Sequence, residues 1–131
     1  MPNQTPTPPS MPRVLVVDDN VDAAESLALV LECEGFDVAC VHDGLAALHW
    51  IERERPQAVL LDLGLPSIDG LEVARRVRAG PLGQDVLLIA VSGYGRDEDH
   101  ASTRAAGFDA HLVKPVPPDA ILEMLGSRLA C

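Results

Sequence analysis

Ala58-Val59-Leu60-Leu61-Asp62-Leu63-Gly64-Leu65-Pro66 is the stretch on which the fold turns. Its apolar run has no polar interruption, which predicts a strand over about 57–61 covered on both faces, because a strand with one wet face would alternate. The run ends on a carboxylate, Asp62, and Gly64 and Pro66 then turn the chain toward Asp69-Gly70. The same pattern recurs three times. Val14-Leu15-Val16-Val17 ends in Asp18-Asp19, Val86 to Val91 ends in Ser92-Gly93, and Leu112-Val113 ends in Lys114-Pro115.

Between these runs the hydrophobic period changes to that of a helix. Strands are expected over about 13–17, 37–41, 57–61, 86–91 and 109–113, and helices over about 21–34, 44–54, 70–79, 97–106 and 118–129. The first helix carries Ala24, Leu27, Ala28 and Leu31 on one face, with Asn20 to cap it and Gly35 to end it. The second buries Ala47, Leu48 and Ile51 before Pro56. The third buries Leu71, Ala74 and Val77 before Gly80-Pro81, and the last turns Ile121, Leu122, Leu125 and Leu129 inward. The fourth is Ala-rich, weakly amphipathic and ends at Gly107. Strictly alternating strands and helices predict an α/β fold, an open doubly wound parallel sheet with right-handed crossovers and helices on both faces.

Composition narrows the function classes. The chain has 131 residues, enough for one domain with a real core. Its net charge of -10 leaves no basic surface to meet phosphates, so direct nucleic-acid binding is not expected. Cys33, Cys40 and Cys131 have no metal-ligand or redox spacing, which points to a reduced, cytoplasmic setting with Cys33 and Cys40 acting as small apolar residues. No apolar run approaches the ~18 residues a membrane span needs, and no signal-peptide core opens the chain. Residues 1–12 hold five prolines among polar residues and are expected to be a flexible tail preceding a domain over 13–131.

Parallel strands place their C-terminal ends on one edge of the sheet, where such folds bind ligands. Asp18, Asp19, Asp62, Ser92 and Lys114 all fall on that edge. One carboxylate after a strand is ordinarily a helix cap; these five residues at four strand ends make a metal site, a nucleophile, a hydroxyl and an ammonium. That set suits phosphoryl transfer onto an aspartate. His42, His49 and His100 show no metal-ligand spacing and are expected at the surface, with Trp50 partly buried.

The motifs Val-Val-Asp18-Asp19-Asn20, Leu-Leu-Asp62-Leu-Gly-Leu-Pro66 with Gly70, Val91-Ser92-Gly93 and Lys114-Pro115, in this order and spacing, resemble the receiver domain of two-component response regulators. The resemblance covers about Arg13 to Leu129. It implies a flavodoxin-like sheet in strand order 2-1-3-4-5 and a role as a signalling phosphoacceptor, not an enzyme in its own right. It implies that Asp62 takes the phosphoryl group from a phosphohistidine. Asp19, Asp62 and the main-chain carbonyl of Gly64 would hold Mg2+, with Asp18 acting through a metal-bound water. Lys114 and Ser92 would bind phosphoryl oxygens, and the Lys114-Pro115 bond would be cis. Ser92 and His111 would form the switch, His111 standing where Tyr or Phe is usual and turning inward after phosphorylation to change the face of helix 4, strand 5 and helix 5.

Gly64 and Tyr94 depart from the common pattern at positions that tune phosphoryl lifetime. The implied partners are a histidine kinase or a histidine phosphotransfer protein, with a downstream effector domain or protein as a further one. The chain would be a stand-alone receiver or part of a hybrid kinase. Two alternatives belong to other classes. A haloacid-dehalogenase-like phosphatase also uses Asp, Lys and Mg2+, but it wants Asp-x-Asp on the first strand, where this chain has adjacent Asp18-Asp19. A receiver-shaped scaffold that is never phosphorylated would not need Asp62 and Lys114 together with the acidic pair.

Overall fold

The computed structural model of the chain describes residues 12–80, 83, 85–93 and 100–129. Five strands, β1 (Arg13–Val17), β2 (Asp37–Val41), β3 (Ala58–Asp62), β4 (Leu87–Ser92) and β5 (Ala110–Val113), alternate with helices α1 (Val21–Cys33), α2 (Gly44–Glu54), α3 (Gly70–Ala79), α4 (His100–Ala106) and α5 (Pro118–Leu129). All strands are parallel, in the order β2-β1-β3-β4-β5. The sequence-predicted architecture and strand order are those observed.

The core has two halves because successive strand residues point to opposite faces. Leu15, Val17, Val59, Leu61, Leu88 and Ala90 pack with α2, α3 and the end of α4. Val14, Val16, Ala58, Leu60, Leu87 and Ile89 pack with α1 and α5. The helical faces follow the expected spacing: Ala24, Ala28 and Leu31 are buried, as are Ala47 and Ile51, Ala74 and Val77, and Ile121 and Leu125. Leu27, Leu48, Leu71, Leu122 and Trp50 are partly buried against these clusters. Val73, not assigned to the buried face of α3, is fully buried. Cys33 faces solvent at the end of α1 and so is no core residue. Cys40 does pack into the α1 side, its Sγ 3.5 Å from the Ala24 carbonyl.

Local signals set the helix ends. Asn20, Asp43 and Asp69 each accept a backbone N–H of the first turn, from Ala23, Ala46 and Glu72. α2 stops at Arg55, which adopts the left-handed conformation just before Pro56. Gly70 opens α3 where the helix presses on the end of β3; a Cβ there would lie 2.9 Å from the Asp62 carbonyl oxygen and from Leu63 Cα. The tail expectation for residues 1–11 lies outside the described residues. Pro12 takes part in the sheet, accepting the Asp37 N–H at 3.0 Å.

β3 and β4 each run one residue beyond their sequence-predicted ends. Asp62 stands in register with Val91, and Leu63 N–H donates to the Val91 carbonyl. Ser92 pairs with Val113, and its carbonyl accepts the Lys114 N–H at 2.8 Å. Asp62 and Ser92 are therefore strand residues, which fixes their backbones more firmly than a loop would.

Candidate functional site

The C-terminal edge of the sheet brings Asp18, Asp19, Asp62 and Lys114 together. The peptide N–H of Asp18 donates to the Val41 carbonyl, so the end of β1 is tied to the end of β2. His42, expected at the surface, is instead partly buried beside it, with Nδ1–H donating to the Asp18 carbonyl at 3.0 Å. The register shows why: Val17 pairs with Val41, so the next residues of both strands are neighbours. His49 is exposed as expected, and the side chain of His100 lies outside the described residues.

Three carboxylates crowd here. One ligand-capable oxygen from each of Asp18, Asp19 and Asp62 lies within 4.8 Å of the others. Asp18 and Asp62 are each only 8% exposed, while Asp19 faces solvent. The Lys114 ammonium lies between the two buried ones, 3.0 Å from Asp18 Oδ2 and 3.3 Å from Asp62 Oδ2. Lys114 thus has both buried acids as partners, Asp18 the nearer. The remaining oxygens accept backbone N–H groups, Asp18 Oδ1 from Asn20 at 2.9 Å and Asp62 Oδ1 from Gly64 at 3.0 Å. The Lys114-Pro115 peptide bond is cis.

The electrostatics follow from this crowding. Burial pushes the Asp62 carboxyl above the usual carboxylate range, and the Asp18 charge adds to that; the Gly64 N–H and Lys114 pull the other way without cancelling it. Burial opposes the charge on Lys114, but its hydrogen bond to Asp18 and the charges of Asp62 and Asp18 hold the ammonium above its ordinary value. Lys114 is thus a permanent cation wedged between two acids.

A cation of hard-oxygen preference fits this set. Every donor is a carboxylate oxygen, the cluster has one open, solvent-facing member in Asp19, and one ammonium offsets only part of three negative charges. Asp18 and Asp62 each have both oxygens engaged, by Asn20 and Lys114 and by Gly64 and Lys114, and Asp19 is the solvent-facing carboxylate of the three.

Ser92 is 2% exposed, one residue beyond Val91, the register partner of Asp62. Its Oγ lies 2.9 Å from His111 Nε2, so the His111 ring already faces the site edge. His111 Nδ1 lies 3.3 Å from Oγ1 of Thr103, a buried residue of α4 that sequence reasoning missed. Its only sequence signal was its place one turn before Gly107 on a helix with little apolar surface. Tyr94 lies outside the described residues.

Comparison with known proteins bears directly on this constellation. The family model described as response regulator receiver domain matches residues 14–126. The chain is a response regulator receiver domain. The receiver is 37% identical over 112 residues to an uncharacterized 14.6 kDa protein of Leptolyngbya boryana encoded in the sodA1 3' region, covering 86% of each chain. It is 38% identical over 117 residues to the response regulator MprA of Mycobacterium avium, covering 89% of the receiver but 49% of that protein, about half its length. The receiver also superposes, with a TM-score of 0.83 and 29% identity over 93% of its length and all of the other chain, on the receiver domain of sensor histidine kinase PA1611 from Pseudomonas aeruginosa. That structure has a magnesium ion coordinated in its active site cleft. No helix among the described residues is long and apolar enough to cross a membrane.

Proposed function

We propose that this receiver domain takes a phosphoryl group from a phosphohistidine onto Asp62, with Mg2+ bound, and changes the face formed by α4, β5 and α5 in response. The observation that carries this reading is the seat of Asp62: a buried carboxylate at the end of a central strand, with Lys114 on one oxygen, the Gly64 N–H on the other and two further acids alongside. The donor is a histidine kinase or a histidine phosphotransfer protein, and the changed face serves a downstream effector.

An Asp62 oxygen attacks phosphorus, the phosphorus–nitrogen bond breaks, and the leaving imidazole nitrogen keeps the electron pair and takes up a proton. The product is an acyl phosphate. Such a transfer needs positioning and charge stabilisation more than bond-making by the protein. Pairing with Val91 of β4, directly after Leu61 pairs with Val17 of β1, positions Asp62. Lys114 releases its hold on Asp62 Oδ2 in exchange for a phosphoryl oxygen while keeping Asp18 as its second partner. The Ser92 hydroxyl donates to another phosphoryl oxygen. Asp19, Asp62 and the Gly64 carbonyl would hold Mg2+, with Asp18 acting through water; the ion supplies charge compensation for the crowded acids and the incoming group.

Incubation with Mg2+ and a small acyl-phosphate donor, followed by intact-mass measurement, tests the reading. One phosphoryl group is expected on the parent protein and none on Asp62→Asn. Stoichiometric labelling of the Asn variant overturns the assignment. Steady release of inorganic phosphate with no retained label points instead to a phosphatase.

A further inference from the structure

His42 directly follows β2, and its imidazole reaches the acidic loop through the main chain. Nδ1 lies 3.0 Å from the Asp18 carbonyl oxygen. A carbonyl can only accept, so the ring carries a proton on Nδ1. The mount beneath the ring is rigid. Val41, just before it, pairs with Val17 and accepts the Asp18 N–H at 3.2 Å. Asp43, just after it, caps α2 through the Ala46 N–H at 2.8 Å, and a Cβ on Gly44 would strike Ile68. A side chain carried between two such anchors can hold a neighbouring peptide in place without moving along with it.

The group held is the peptide joining Asp18 to Asp19. Peptide units are planar, so a residue keeps two soft angles, and both are set once the planes on either side of it are held. Asp19 stands between two such planes. The one after it is held by the Asn20 N–H, which donates to Asp18 Oδ1 at 2.9 Å. The one before it is held by His42. The Asp19 carboxylate faces solvent and has no hydrogen bond or ion pair of its own among the described residues. An oxygen of it nevertheless lies within 4.8 Å of oxygens from Asp18 and Asp62. Like charges repel at that range, so the side chain is brought there by its backbone and not by its own contacts.

We propose that His42 is a positioning residue for the metal site: through the Asp18 carbonyl it fixes the peptide before Asp19 and so aims that carboxylate at the ion shared with Asp62. The inference rests on the Mg2+ reading of Asp19 and Asp62 and adds what keeps Asp19 on target. The ring works at one remove, on the carbonyl and not on the ion.

The experiment is NMR of the full chain, with two readouts. The first is the three-bond coupling between the amide and α protons of Asp19 in EDTA, which reports the angle between the two held planes. The second is the Mg2+ dissociation constant, from amide shifts along a titration. In His42→Leu the coupling should move toward that of a freely rotating residue, and the dissociation constant should rise about tenfold, the low end of what outer groups that orient a ligand give. His42→Ala should behave alike, which guards against a packing defect particular to leucine. His42→Asn should restore both readouts, because its amide nitrogen stands as many bonds from the backbone as Nδ1 does and donates in the same way. A merely structural contact would lower the melting temperature and leave both readouts of the folded molecule unmoved.

Either readout staying at the parent's value in the Leu and Ala variants overturns the positioning role and leaves the Mg2+ reading standing. So does an Asn variant as impaired as Leu. A parent that shows no Mg2+-dependent shifts at Asp19 and Asp62 overturns the Mg2+ reading and the positioning role together.

Discussion

Asp62 is held where its charge is a liability until something compensates it. Burial and Asp18 raise its carboxyl above the ordinary range, so the fold prefers the protonated form. The folded protein therefore binds that proton more tightly than the unfolded chain, and stability falls as pH rises through the folded value. Above it the penalty is complete; it fades as pH falls from the folded value toward the ~3.9 of a free Asp. In metal-free buffer Asp62→Asn should consequently melt above the parent at pH 7, by roughly 2–4 °C. That corresponds to somewhat under 1 kcal/mol in a domain of this size, with solvent access and the Lys114 pair discounting what full burial would give. Thermal melts in EDTA across pH 4 to 8 check the sign: the advantage of the Asn variant should shrink on acidification, and one that grows would show that Asp62 is not destabilised by its own charge.

Among the elements, α3 and α4 depend on a residue no motif announces. Arg78, near the end of α3, donates to the carbonyls of Gly107, Gly83 and Val86 and to Asp109 Oδ2, all at 2.8–2.9 Å, with its side chain only 11% exposed. Asp109 Oδ2 also accepts the Leu88 N–H, so one guanidinium joins α3 to the start of β4 and to the turn leaving α4. Gly107 has φ +111°, and a Cβ there would strike Arg78 Cγ. Arg78→Ala should cost about 3 kcal/mol, since it leaves three carbonyls without their donor; Asp109, exposed and still bonded to the Leu88 N–H, adds little. Arg78→Lys should recover little of it, because a single ammonium cannot span the fork. Urea titrations of both variants measure this; a loss under ~1 kcal/mol for Ala would mean the network is dispensable.

The strand and helix pattern, and the acids and lysine at one sheet edge, were legible in the sequence because period and strand-end position carry them. Arg78, Asp109, His42 and Thr103 were not. Their roles depend on partners far away in the chain, which local pattern does not encode. The ends of β3 and β4 were set one residue early because Asp62 and Ser92 look like loop chemistry, and only the register shows that the ladder includes them.

At the scale of the molecule, the proposed Mg2+ site at the acidic edge predicts that stability depends on divalent cation. An ion that binds the folded site and not the unfolded chain adds about 2.7 kcal/mol at 100 times its dissociation constant. The melting temperature should climb with Mg2+ in the parent and climb much less in Asp19→Asn; identical titrations would place the ion elsewhere. The Lys114 ammonium also has a bearing on time. It joins residues 96 and 52 positions apart along the chain. Contacts that close such long loops are expected late in folding, after nearer strands have paired. An interaction absent from the transition state slows unfolding and leaves the folding rate alone. Lys114→Met should therefore refold at nearly the parent's rate and unfold faster, about tenfold for each ~1.4 kcal/mol it loses. Stopped-flow chevrons in EDTA would show one limb displaced and the other superimposed. The residue proposed to meet the phosphoryl group is then also the latch that sets how long the native state lasts once formed.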